Sequence, residues 1–217
     1  MKVTIIDYGL SNLLSVQRAV EKLGGESQIT QKASDIENAE ILILPGVGAF
    51  ADGMAGLNRL QIVDIIRRKA NEGTPLLGIC LGMQLLFDES EEFGLHQGLG
   101  LIPGRVVRIS DYNTENMRQR VPHVGWNVLM PPDSSAMKFQ DNLLKTTQVG
   151  SEVYFVHSFE VKPQKDSYCI ADTFYGGRRI CACAKLNNVY GVQFHPEKSS
   201  QVGLDILGQF LGIFQKL

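Results

Sequence analysis

This 217-residue chain lacks a marked excess of either charge: 21 Lys and Arg stand against 23 Asp and Glu, a formal net charge of -2, so no basic surface suited to nucleic acid is expected. No apolar run approaches the length of a membrane span, and the chain moves directly into the apolar segment Lys2-Val3-Thr4-Ile5-Ile6 with no signal peptide ahead of it, so no membrane contact is expected and cytoplasm is the expected compartment. Phosphate and dinucleotide loops are missing too, with no G-x-G-x-x-G after the first strand and no G-x-x-x-x-G-K-[ST] anywhere. Cysteine is scarce, at positions 80, 169, 181 and 183. Cys181 and Cys183 alternate along an apparent strand and are expected on one face of it, without the paired knuckles of a zinc site. Reduced thiols of the core are expected there, and neither a metal nor a cofactor. There is no internal repeat. What the chain has in quantity is apolar side chains, 44% of it, enough for one large core and a single domain over 1–217.

The pattern of those side chains changes along the chain. Asn12 to Leu23 carries Leu13, Leu14, Val16, Val20 and Leu23 at helical spacing, and Asp52 to Ala70 repeats the pattern. Strands alternating with such helices predict an open, mainly parallel α/β sheet with its site at the strand carboxyl ends. From Gly98 onward the period shortens. Gly104 to Ile109, Glu152 to Val161, Tyr168 to Phe174 and Arg179 to Leu186 read as added strands or hairpins, and Ser200 to Phe214 as a closing helix. Asp111 to Arg120 and Pro131 to Gly150 read as surface loops whose length is free to vary, and Glu89-Ser90-Glu91-Glu92 as a solvated helix end.

Three segments carry chemistry. Thr74-Pro75-Leu76-Leu77-Gly78-Ile79-Cys80-Leu81-Gly82-Met83-Gln84 reads as a buried strand turning sharply into a helix, with Cys80 at the corner. Gly78 and Gly82 permit a strained turn and close helix packing, the logic of a nucleophile elbow with sulfur in place of oxygen. A thiol there meets unpaired amides at a helix start, which favour thiolate. Alone, the segment leaves nucleophile and buried core cysteine both open.

Val189-Tyr190-Gly191-Val192-Gln193-Phe194-His195-Pro196-Glu197 supplies a partner. Residues two apart in an extended segment project to one side, so Glu197 can orient the His195 ring as the third member of a Cys-His-acid triad. Ile41-Leu42-Ile43-Leu44 then runs into Pro45-Gly46-Val47-Gly48, a core strand followed by a loop of exposed amides that can hold an oxyanion beside the amide of Leu81. Such a loop is also what an ordinary strand-to-helix turn looks like.

Pro45-Gly46-Val47-Gly48, Gly78 to Gln84 and Gln193 to Glu197 together resemble the class I, triad-type glutamine amidotransferases. Ile6-Asp7-Tyr8-Gly9-Leu10-Ser11-Asn12-Leu13, Pro122-His123-Val124-Gly125-Trp126-Asn127 and Tyr154-Phe155-Val156-His157-Ser158-Phe159 are similar to the glutaminase subunits of imidazole glycerol phosphate synthase. The resemblance runs from the first strand to the last helix. It implies a flavodoxin-like parallel sheet and a triad of Cys80, His195 and Glu197 that hydrolyses glutamine to glutamate and ammonia. It also implies an oxyanion hole of the Val47 and Leu81 amides, with glutamine held by Gly48, Gln84 and the backbone around His157, Ser158 and Phe159.

The implied partner is a (β/α)8-barrel cyclase, joined as a heterodimer, which takes the ammonia and makes imidazole glycerol phosphate and aminoimidazole carboxamide ribotide in histidine biosynthesis. Asn12, His123, Trp126, Tyr154 and Lys198 match positions at or near that interface. Two positions depart from the family pattern: Ser11 replaces a glycine and Phe159 a common tyrosine. They point to an alternative acceptor, such as a surface-polysaccharide sugar amidotransferase. A stand-alone γ-glutamyl hydrolase or cysteine peptidase would use the same triad without a partner.

Overall fold

The structure is a computed structural model that describes residues 2–10, 12–132 and 138–213, without the side chain of Ile213. Its first half alternates strands and helices: β1 (Lys2–Ile6), α1 (Leu13–Lys22), β2 (Glu26–Thr30), α2 (Ala33–Glu37), β3 (Ile41–Gly46), α3 (Phe50–Arg59), α4 (Val63–Asn71), β4 (Leu76–Cys80) and α5 (Leu81–Leu85). Strands dominate after that: β5 (Phe87–Ser90), β6 (His96–Gln97), β7 (Ile102–Arg108), β8 (His123–Val128), β9 (Glu152–His157), β10 (Phe159–Pro163), β11 (Cys169–Tyr175), β12 (Arg178–Leu186) and β13 (Val189–Val192), before the closing helix α6 (Ser200–Ile213).

One seven-stranded sheet, ordered β11-β12-β13-β4-β3-β1-β2, organises the molecule. It is parallel from β13 to β2 and antiparallel from β13 through β12 to β11, which is the expected architecture. Strand alternation divides its side chains between two cores. Val3, Ile5, Ile41, Ile43, Leu77 and Ile79 face Val16 and Val20 of α1 and Leu207 and Phe210 of α6. Ile6, Leu42, Leu44 and Leu76 face Met54 and Leu57 of α3 and Ile66 of α4. A four-stranded sheet, β10-β7-β5-β6, and the ribbon β8-β9 lie beside it.

Several local expectations are corrected. Asp52 to Ala70 is two helices, because α3 closes in a Schellman turn: Gln61 takes φ 56°, Gln61 N–H bonds Asn58 O and Ile62 N–H bonds Leu57 O. No glycine announces that turn, and buried Ile62 holds it. Leu14 faces solvent. The stretch from Glu152 to Val161 is broken at Ser158, its two parts joining different sheets. Cys181 and Cys183 do not share a face. The pairing of β11 with β12 shifts register between Ala171 and Asp172, so Cys181 packs into one core and Cys183 into the other. All four cysteines are buried, free thiols.

The segment around residue 90 is no solvated helix end. Glu89 and Ser90 lie in β5, Ser90 is fully buried, and the Glu92 carboxylate caps α3 by accepting from Phe50 N–H at 2.7 Å. The span from Pro131 to Gly150 is not all surface loop either, since Phe139, Leu143 and Leu144 are buried in the core. Among the described residues no helix is long and apolar enough to cross a membrane.

Candidate active site

At the end of β4 the chain turns into α5 through Cys80, whose backbone sits at φ 52°, ψ -108°. A non-glycine residue held at positive φ stores strain that only firm packing sustains. The packing is visible at the glycines. A Cβ on Gly82 would lie 1.7 Å from Leu44 O, and one on Gly78 would lie 2.6 Å from Gly82 O, so α5 rests directly on β3 and β4. The elbow predicted from Gly78 and Gly82 is present for that reason. The Cys80 thiol donates toward Val156 O at 3.8 Å, and Gln193 Nε2 donates to its sulfur at 3.7 Å.

His195 follows the end of β13 on the neighbouring strand. Its Nδ1 lies 2.8 Å from Glu197 Oε1, and both side chains are almost fully enclosed. The two do not meet along an extended strand, as expected, but through a 3-10 turn over Pro196–Lys198 that folds Glu197 back beneath the ring. Ser199 locks the turn to β9: its hydroxyl donates to His195 O at 2.6 Å and accepts from Tyr154 N–H at 2.9 Å. Burial works to lower the His195 pKa, but the nearby Cys80 sulfur and the hydrogen-bonded Glu197 carboxylate outweigh it and raise the value to about 9. Nε2, on the far side of the ring, is buried without a hydrogen-bond partner among the described residues. A ring so placed has one nitrogen fixed by a carboxylate and the other open for proton transfer.

A cavity of about 260 Å³ opens beside Cys80; its lining brings together Val47, Gly48, Leu81, Gln84, His157, Ser158 and Phe159, the residues expected at the oxyanion hole and the glutamine site, with Glu92, Pro122 and Val156, which were not. Gln84 is buried, its Nε2 donating to Phe159 O at 3.1 Å and to Gln193 Oε1 at 3.2 Å. His157 Nδ1 lies 2.8 Å from the same Phe159 carbonyl. Burial, first of all, drives the His157 pKa down to about 3. The Val47 amide is engaged elsewhere, donating to Leu10 O at 2.8 Å. Gly48, next to it, holds φ +109°.

Of the expected interface residues, Trp126, Asn12 and Lys198 are exposed and Tyr154 half-buried. Trp126 and Tyr154 are cross-strand partners on the outer face of the ribbon, their rings 6.1 Å apart edge to face. His123 differs from the others. It is buried, stacked between Phe155 and Tyr175. Ser11 lies outside the described residues. Sequence reasoning missed three residues of the site. Gln193 bridges Gln84 and the cysteine sulfur, Glu92 lines the cavity, and Leu10 holds the Val47 amide. Only Gln193 left a signal, as a polar residue inside an apolar strand end.

Residues 4–212 match the family model for the class-I glutamine amidotransferases. The imidazole glycerol phosphate synthase subunit HisH 1 of Legionella pneumophila (strain Lens) is 46% identical over 97% of this chain and 99% of its own length. The subunit HisH of Geobacillus sp. (strain WCH70) is also 46% identical, over 98% of this chain and 97% of its own. Among solved structures, PurLQS from Thermotoga maritima superposes with a TM-score of 0.73 at 20% identity, covering 98% of each chain, a likeness of fold. An elbow cysteine beside a carboxylate-held histidine is thus found within a sequence alike from end to end, and the chain belongs to the class-I glutamine amidotransferases and, within them, to the family of the HisH subunits.

Proposed function

We propose that this chain hydrolyses glutamine with Cys80, His195 and Glu197 and passes the ammonia to a (β/α)8-barrel cyclase, joined as a heterodimer in the cytoplasm, that makes imidazole glycerol phosphate and aminoimidazole carboxamide ribotide for histidine biosynthesis. The observation that carries the hydrolysis is the Glu197-bound His195, with Nε2 unpartnered, beside a cysteine strained at an elbow. Cys80 sulfur attacks the side-chain amide carbon, and His195 passes the thiol proton to the leaving nitrogen. Water, deprotonated by the same ring, then opens the thioester and releases glutamate. Glu197 fixes the ring and balances its charge.

The acceptor reading rests on relatives named as subunits of imidazole glycerol phosphate synthase and on an exposed Trp126 flanked by Tyr154, which suits an interface anchor. Free ammonia is protonated in bulk water, so its production is useful only against an enclosed acceptor. The Val47 amide supports control by that partner. While it donates to Leu10 it offers nothing to an oxyanion, and rotation of the Gly46–Val47 peptide would aim it into the cavity.

The test uses Cys80→Ala in the assembled complex. Glutamine-dependent product formation is expected to vanish, while added ammonium salt at raised pH still supports it. Retention of glutamine-dependent synthesis overturns the assignment.

A further inference from the structure

The β8-β9 ribbon sets His123 directly opposite His157 and Trp126 opposite Tyr154. Because side chains alternate, the two imidazoles share the inner face while the two large aromatics share the outer one. The protons of the inner pair can be assigned one at a time. His157 Nδ1 faces the Phe159 carbonyl at 2.8 Å, and a carbonyl only accepts, so Nδ1 carries the proton. In a neutral ring Nε2 is then an acceptor. It lies 3.0 Å from His123 Nδ1, which must therefore donate.

His123 Nε2 in turn accepts, 3.2 Å from Asn127 Nδ2. The orientation of that amide is not arbitrary, because Asn127 Oδ1 takes the Val128 N–H at 2.8 Å and Nδ2 also donates to Phe174 O at 2.8 Å. One direction of donation thus runs from Asn127 through His123 and His157 to the Phe159 carbonyl. There it meets Gln84, which donates to the same carbonyl and to Gln193, whose amide donates to the Cys80 sulfur.

We propose that His123 and Asn127 are positioning residues, which hold His157 in its neutral Nδ1–H form and so fix the Phe159 carbonyl and Gln84 as the wall of the substrate pocket. A proton added to either ring would set two donors face to face. The surroundings agree: burial lowers the His123 pKa to about 4 and that of His157 to about 3, where His123 and His195 also oppose a charge. Asn127 is the next residue after Trp126, so the chain begins at the strand whose outer face carries the exposed aromatic.

The identity of the pocket's ligand rests on the glutamine reading, but the tautomers do not. In the full chain labelled with 15N, long-range proton–nitrogen correlation is expected to show both rings protonated on Nδ1 at neutral pH, with neither titrating down to about pH 5. An Nε2–H form of His157, or a midpoint near the ordinary 6.5, overturns the relay. The second measurement is calorimetric glutamine binding in a Cys80→Ser background. His123→Phe fills the slot between Phe155 and Tyr175 but donates nothing, whereas His123→Gln gives up the ring and keeps a donor. Loss of one neutral hydrogen bond predicts about three- to tenfold weaker binding for Phe and a value within about twofold of the parent for Gln. The reverse order would make His123 a packing residue and refute the proposal. Should the parent itself fail to bind glutamine, the glutamine reading falls and the tautomer spectrum alone decides the relay.

Discussion

Two strand ends meet at the site, Gly46 of β3 and Cys80 of β4, paired in register side by side and both tightly packed, but the backbone that follows them is held in opposite ways. The cysteine end is clamped. Its strand is buried throughout, and the helix behind it approaches so closely that Gly82 has no room for a methyl group. The glycine end runs into Val47, 40% exposed and secured by a single amide bond to Leu10, and into Gly48, whose hypothetical Cβ would meet only Leu10 methyls at 3.9 Å. A nucleophile has to be in one place at every turnover. An oxyanion donor that must be withheld has to sit on backbone that can turn, and on the proposed mechanism one of each stands at the ends of neighbouring strands.

The sharpest way to isolate the clamped side is His195→Asn. It removes the proposed proton-transfer group but leaves the elbow, and glutamate release in the partnered enzyme is expected to fall about 10⁶-fold. Residual turnover within tenfold of the parent would mean that another base serves Cys80.

The comparison can be broken structurally with Gly82→Ala. The added Cβ meets Leu44 O at 1.7 Å, so β3 and α5 must separate, and a loss of about 3–5 kcal/mol in unfolding free energy is expected from overpacking in this core. Urea denaturation measures it. A loss below about 1 kcal/mol would mean the elbow is not clamped.

Val47→Pro addresses the other side. It removes the N–H and with it both the Leu10 bond and the proposed oxyanion donor. Partner-stimulated glutamate release should drop about 10²–10³-fold, the worth of one such donor. Stability should fall by only about 1 kcal/mol, since one loop hydrogen bond is lost. If stimulated turnover survives, the Val47 amide does not hold the oxyanion.

The clamped side was also the legible side. An apolar run from Pro75 to Gly82 that is broken only by Gly78 and carries Cys80 at the corner can be packed in few ways, so β4 and the elbow follow from local pattern. His195 and Glu197 were legible as a pair because sequence neighbours stay neighbours in space, although the turn that joins them was not. What escaped depends on partners distant in the chain. The register shift that parts Cys181 from Cys183 is set by β11, the burial of His123 by Tyr175 some fifty residues away, and the worth of Glu92 by the first amide of α3. No periodicity within a strand records such pairings, and Leu10 acts through a carbonyl that every residue type carries.

A pH dependence separates the ribbon from the triad. His123 and His157 have folded pKa values of about 4 and about 3 against an ordinary 6.5, so below 6.5 the unfolded chain binds protons that the folded chain refuses. Their contribution is present above 6.5 and is lost as pH falls, at up to about 1.4 kcal/mol per pH unit for each ring. His195 is opposite in sign. With a folded value of about 9, its contribution is complete below 6.5 and disappears as pH rises through 9. Stability should therefore peak near 6.5 and decline on both sides. Between about pH 5 and 6.5 ordinary carboxylates are ionised folded or unfolded, and Glu160, whose pKa burial raises, acts in the opposite sense, so a loss of stability on acidification in that window reports the histidines. Urea midpoints measured across it should fall on acidification, and His195→Asn should flatten only the alkaline limb. A midpoint unchanged from 6.5 down to 5 would mean that the ribbon histidines accept protons in place, and the buried neutral pair would have to be abandoned.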